Sequence, residues 1–219
     1  DRKKRAIDAR KNGRIYKNMT QEMVTIYRED GRKMGIVSRE QAHTEGLWHE
    51  VVHCWILQEI GRQIWAYFQQ RAHTKKDFPD YYDIASTGHV DAGEYHKDAV
   101  LREIREEIGL SLEKKDLRYL GNVKETIDFG QFHDREIVHL YLYVADKIPD
   151  FALGEEVERM VRVKLEDYIK KEKGQIQEIE AYSVEGEKIM IPKEAFCVHT
   201  LPEKLIEWND NHSIKKKNP

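Results

Sequence analysis

The sequence predicts an α/β fold in which a mixed sheet is flanked by helices. Two observations predict it. Short β-branched and aromatic runs recur along the chain, and helical periodicity is confined to a few segments that do not alternate with the strands in regular βαβ units. With 219 residues, 40% hydrophobic and 35% charged, the chain suits one sizeable core under a highly charged surface.

In chain order, residues 1–18 (DRKKRAIDARKNGRIYKN) are basic and weakly patterned, and are expected as an extension loosely attached to a domain over 19–210. Met23–Tyr27 alternates as a short strand and ends at the turn residues Glu29, Asp30 and Gly31. A loop is expected from there to Trp48. Residues 50–57 (EVVHCWIL) form an apolar strand that turns through Gly61 into its partner, 63–69 (QIWAYFQ). Pro79 and Asp80 break the chain before a strand at 81–85, and 88–93 read as a loop. The clearest helix spans 95–108: Val100, Ile104 and Ile108 give it a buried stripe, and Gly109 stops it. Residues 118–126 and 136–145 are strands around a polar loop, 128–134. A strand at 155–163 follows, and a short helix at 165–173 and a hairpin over 178–191 turning at Gly186 belong to an extension from about residue 164. Pro202 suits the first residue of a terminal helix, and 211–219 form a basic tail.

At 100° per residue, Glu107 lies about 40° to one side of Glu103 and Glu106 about 60° to the other. Three carboxylates therefore share a helix face beside the buried stripe, where the wall of a cleft would lie. Carboxylates this close repel unless a cation sits among them. Mg²⁺ is the economical choice, and holding it this way suits work on a phosphate chain.

The spacing around those glutamates is specific. Gly88, Glu94, Arg102, Glu103, Ile104, Glu106, Glu107, Gly109 and Leu110 satisfy G-x5-E-x7-R-E-U-x-E-E-x-G-U, with U apolar. A chance match is rarer than about one in 10⁸ at ordinary residue frequencies. The segment resembles the Nudix box of the Nudix hydrolase superfamily. The resemblance implies an α/β/α sandwich and a Mg²⁺-dependent hydrolase, with Mn²⁺ able to substitute, acting on a nucleoside diphosphate linked to X or a related organic diphosphate. By position, Glu103, Glu106 and Glu107 would be metal ligands, with a further ligand from the carbonyl of Gly88 or Thr87. Glu103, Glu106 and Arg102 would form the catalytic group, one glutamate acting as base on water. Glu94 and Arg102 would shape the loop and helix. Glu155 or Glu156 is a weaker candidate for a second base.

The wider sequence, VVHCWI and then QQRAHTKKDFPDYYDIASTGHVDAGE, resembles the branch close to isopentenyl diphosphate isomerases. Those isomerases need a cysteine immediately before the Gly/Ser-His that opens the box. Thr87 stands there, and its hydroxyl cannot replace a thiol in moving protons on carbon. A hydrolase on an isomerase-like scaffold is therefore expected, ahead of an isomerase or a non-catalytic binding module. A module of that last kind is expected to lose box glutamates.

His49-Glu50-Val51-Val52-His53 matches the zinc-protease pattern HExxH, which requires a helix. The β-branched surroundings predict a strand, where the two His lie about 13 Å apart, too far to share one zinc. His53 is instead expected to reach a substrate cleft. Arg71 and Lys75 are candidates for diphosphate contacts, and Tyr82 for stacking on a base. A net charge of −3 gives no field for nucleic acid, and no apolar run is long enough to span a membrane. Cys54 and Cys197 form no disulfide framework, which fits a cytoplasmic location. A homodimer is the default expectation.

Overall fold

The structure is a computed structural model and describes residues 21–129, 132–199 and 201–214. The expected extension at 1–18 and the tail beyond 214 lie outside the described residues. The elements are β1 (Met23–Tyr27), β2 (Lys33–Ser38), α1 (Arg39–Glu45), β3 (Trp48–Ile60), β4 (Gln63–Arg71), β5 (Tyr82–Ile84), β6 (Ser86–His89), α2 (His96–Ile108), β7 (Arg118–Phe129), β8 (Phe132–Ala145), β9 (Val157–Lys164), α3 (Leu165–Glu172), β10 (Glu178–Ser183), β11 (Lys188–Pro192) and α4 (Glu203–Ile214). A 3-10 turn, Lys193–Ala195, precedes α4.

The strands form one mixed sheet organised around β3. β8 runs parallel to it from His49↔Glu136 to Gln58↔Ala145. Its C-terminal end pairs with β4, and its middle pairs with β6. The neighbours of β3 bury both its faces, as expected for a strand at the centre of a sheet. Val51, Trp55 and Leu57 join one core cluster with Tyr168 of α3 and Leu205 of α4. Val52, Cys54 and Ile56 join another with Val100, Ile104 and Ile108 of α2. Helices thus cover opposite faces, giving the α/β/α layering.

Three segments expected as loops are ordered. The stretch between β1 and Trp48 contains β2 and α1. Ser38 caps α1 by accepting from the Gln41 N–H at 3.2 Å, and Gly46 closes it in the left-handed conformation. α1 fully buries only Ala42, so it left no apolar stripe in the sequence. The start of the 88–93 segment belongs to β6, whose Ser-Thr-Gly-His composition hides a backbone ladder against Val51, Val52, His53 and Cys54. The polar 128–134 segment continues β7 and β8 through Thr126↔Arg135 and Ile127↔Asp134, because an antiparallel ladder needs only backbone groups.

One partner switch shapes the functional region. β5 pairs with β4 at Phe68↔Ile84, and two residues later β6 pairs with β3 at Cys54↔Ser86. The chain changes partners at Ala85, and a cleft of about 660 Å³ opens beside it.

Candidate active site

One wall of the cleft is α2 with the β6 strand that precedes it. Glu107 is buried against this wall and the Glu103 side chain is 14% exposed, whereas the Glu106 side chain is 63% exposed. Gly88 permits the approach: a Cβ there would lie 2.1 Å from Glu103 Cδ. Gly109 ends the helix at φ 70°, and a Cβ there would meet the Ala152 carbonyl at 2.3 Å.

Arg102 ties the loop to the helix. Its Nε and Nη2 donate to the two Glu94 carboxylate oxygens at 3.1 and 2.9 Å, and Nη2 also donates to the His89 carbonyl at 2.9 Å. Its Nη1 donates to Glu103 Oε1 at 2.6 Å and stands 3.5 Å from Glu106 Oε2. Glu107 Oε2 accepts from the Thr87 N–H at 3.0 Å and from Gln69 Nε2 at 3.2 Å.

Burial pushes Glu103 up to about 7 against the pull of Arg102. Burial, with Glu103 nearby, pushes Glu107 up to about 8. At these two groups the folded chain holds protons that the unfolded chain has released between the ordinary carboxylate range and pH 8, so their contribution to stability falls as pH rises through that window. Below about pH 6.5 the buried neutral histidines of the same cleft act in the opposite sense, so without divalent cation the melting temperature should decline from about pH 6.5 to pH 8, and Mg²⁺ should flatten the decline. Thermal scans at fixed ionic strength check this; a rising or level profile without cation overturns it.

A second donor set borders the same cleft, with His43, His89, Asp134 and Glu136 lining it and His49 buried behind. His43 of α1, His49 of β3 and His89 of β6 have ring centroids 5.1–5.2 Å apart. Their ligand atoms gather within 4.8 Å, and His49, Asp134 and Glu136 form an adjoining group on the same criterion. Burial lowers His43 and His89 to about 4, leaving neutral imidazoles. Among the described residues, His49 Nε2, Asp134 Oδ1 and Glu136 Oε2 are buried without a hydrogen bond. Imidazole and carboxylate together can hold a transition metal.

The remaining candidates from sequence are placed unequally. His53 and Lys75 line the cleft, with Lys75 paired to Glu156. Arg71 also lines it but spends its donors on scaffold: Nη1 on Asp83 at 3.0 Å, Nε and Nη2 on the Asp77 carbonyl. Tyr82 is 7% exposed, packs on Phe196 in the core and is not among the cleft residues, so the structure does not bring it to the site. Sequence reasoning did not single out His43, Asp134, Glu136, Glu125 or His199. The usable signal was alternation: Asp134 and Glu136 are two apart on β8, and His49 and His53 are four apart on β3.

Residues 47–183 match the model of the NUDIX domain. The chain belongs to the Nudix family. An uncharacterized Nudix hydrolase of Clostridium acetobutylicum is 33% identical over 151 residues, 68% of this chain and 73% of the relative. An isopentenyl-diphosphate Delta-isomerase of Mycolicibacterium vanbaalenii is 33% identical over 100 residues, 45% of this Nudix chain and 52% of the isomerase. The crystal structure of a Deinococcus radiodurans protein superposes with a TM-score of 0.52 at 19% identity, covering 70% of this chain and 90% of that one, and shares the fold. Family membership makes this chain a Nudix hydrolase, and its α2 segment with β6 is the Nudix box. No helix among the described residues is long and apolar enough to cross a membrane.

Proposed function

We infer that this Nudix hydrolase cleaves a diphosphate linkage, in a nucleoside diphosphate bound to X or a related organic diphosphate, by attack of water with Mg²⁺ or Mn²⁺ as cofactor. The observation that carries the reading is the convergence of Glu103, Glu106 and Glu107 on one wall of a cleft large enough for a small molecule. The residues fit a hard cation: three carboxylates offer oxygen donors, and two of them are crowded enough to be driven toward neutrality by burial. Glu103, Glu106 and Glu107, with the Gly88 carbonyl, would hold it. The cation, when bound, neutralises charge developing on the diphosphate oxygens and lowers the pKa of bound water.

The chain's own groups divide the work. Arg102 fixes Glu103 and the loop carrying His89. Glu107 is anchored by the Thr87 N–H and Gln69. Glu106, the most exposed of the three, is left to accept the proton from the attacking water. Lys75 and His53 line other parts of the cleft that would take the substrate. The isomerase reading is disfavoured at Thr87, whose backbone serves the box while its hydroxyl lacks the acidity of a thiol.

The test is a product-release screen over nucleotide sugars, dinucleotides, nucleoside diphosphates and isoprenoid diphosphates in ¹⁸O-water. Turnover should require Mg²⁺ or Mn²⁺, stop with EDTA, and place ¹⁸O on a product phosphate. Isopentenyl–dimethylallyl interconversion without hydrolysis, or turnover indifferent to EDTA, overturns it.

A further inference from the structure

Cys197, Val198 and His199 of the C-terminal segment line the same cleft as the Nudix box. Phe196 packs against Phe68, Tyr82 and Tyr168, and the Cys197 N–H donates to the Tyr82 carbonyl at 2.8 Å. Aromatic packing and one backbone hydrogen bond seat the segment. They deliver His199, which lies beyond the 47–183 span of the NUDIX domain, to the buried face of β7, β8 and β3.

There it meets three side chains from three strands. His199 Nδ1 lies 3.0 Å from Glu125 Oε2. Its ring crosses that of His53 edge to face, with centroids 4.7 Å apart. His53 Nε2 is 3.9 Å from Glu136 Oε2. Glu125 and Glu136 face each other across the β7–β8 ladder. One ligand atom from each of His53, Glu125, Glu136 and His199 falls within 4.8 Å of the other three.

We propose that these four residues form a four-coordinate N₂O₂ site for a zinc-type divalent cation, separate from the Nudix-box glutamates and from the His43, His49 and His89 group. Three observations support it. First, Glu136 is 7% exposed, and its Oε2 has no hydrogen bond among the described residues, yet it points at His53. A buried carboxylate oxygen in that state calls for a cation or a proton donor. Second, ligands around zinc at about 2.0–2.1 Å stand about 3.3 Å from one another in a tetrahedron. The separations of 3.0 and 3.9 Å bracket that value. Third, the outer groups are those that orient a metal-bound imidazole. His199 Nε2 lies 3.0 Å from Asp83 Oδ1, and Arg71 Nη1 donates to Asp83 Oδ2 at 3.0 Å. A carboxylate behind the histidine, itself held by a guanidinium, fixes the tautomer that leaves Nδ1 for the metal.

The charges balance. The cation takes the place of the proton between His199 Nδ1 and Glu125, which is released, while Nε2–H stays on Asp83. His53 is already a neutral imidazole, lowered to about 4 by burial and by the neighbouring His199. Two carboxylates then neutralise one divalent ion. The site cross-links β3, β7 and β8 to the C-terminal segment, making that segment a fixed wall of the cleft. It needs His53 but not the HExxH geometry, since its partner histidine comes from the far end of the chain.

The test uses the full chain. Crystals exposed to about one equivalent of zinc chloride per candidate site, with data at the zinc edge, should show an anomalous peak among His53, His199, Glu125 and Glu136. In solution, cobalt(II) should give the intense visible bands of four-coordinate N/O ligation. His53→Gln should lose those bands and one zinc per chain, whereas His43→Gln and Glu106→Gln should keep the bands. No peak at the four residues, or unchanged zinc stoichiometry and cobalt bands in His53→Gln, overturns the proposal. Should His53→Gln fail to fold, the anomalous map of the unsubstituted protein still decides.

Discussion

Glu106→Gln should lower turnover of any diphosphate substrate by about 10³-fold or more, since a loss of about 4 kcal/mol of transition-state stabilisation is a factor of about 10³. The substitution keeps the shape of the side chain and removes only its charge and basicity. Glu106 is the most exposed of the three box glutamates, and Arg102 already has Glu94 and Glu103 as closer partners, so the fold does not depend on it. The melting temperature should therefore move by less than about 2 °C, as expected for a surface change. The comparison with Glu107→Gln is informative. Glu107 is buried and accepts from Thr87 and Gln69, so that variant should also shift stability. Unchanged turnover in Glu106→Gln, measured with saturating Mg²⁺, would remove Glu106 from the reaction.

Gly88→Ala should damage both stability and rate. The new methyl would lie 2.1 Å from Glu103 Cδ, 2.3 Å from Oε1 and 2.5 Å from Cγ. Glu103 has little room to yield, because Arg102 Nη1 holds Oε1 at 2.6 Å and its side chain is buried against the loop. Overpacking of this kind costs about 1–3 kcal/mol, which lowers the melting temperature by about 3–10 °C in a chain of this size. Displacing a carboxylate proposed to hold the metal by about 1 Å should cost about 10²-fold in turnover. Adding Glu103→Ala to the same chain removes all three clashing atoms and should recover much of the melting temperature but not the rate. A Gly88→Ala protein with native stability and native turnover would show that the two groups do not pack as described.

The Nudix-box helix was legible because two periodicities coincide in it. Val100, Ile104 and Ile108 mark the buried stripe, and the glutamates sit beside that stripe at fixed intervals. The long apolar runs of β3 and β4 were legible for a similar reason, since strands buried on both faces carry little else. α1 was not, because its order rests on the Ser38 and Gly46 caps and on one buried alanine. β6 was not, because a strand of Ser, Thr, Gly and His is defined by its backbone partners on β3. The histidine and acid groups were illegible for a third reason. Their members come from α1, β3, β6, β7, β8 and the C-terminal segment, and the registers of β3 with β8 and β6 and of β7 with β8, with the packing of α1 and of Phe196, bring them together. Tyr82 shows the converse. It was a candidate for stacking on a base, but pairing of β5 with β4 leaves it packed inward against Phe196.

The parallel pairing of β3 with β8 also governs how the molecule is made. It joins residues 48–60 to residues 132–145, with α2 and four other strands between them in sequence. Contacts of such separation are closed late, because the entropy of a long loop is lost before any pairing energy returns. During synthesis β3 emerges well before its central partner, so its Val, Cys, Trp, Ile and Leu run waits uncovered on one edge. Refolding should accordingly be slow for a chain of this length, and the nascent chain is most open to aggregation between the emergence of β4 and the arrival of β8. The strand that carries His49 and His53 is thus also the one that most needs chaperone protection.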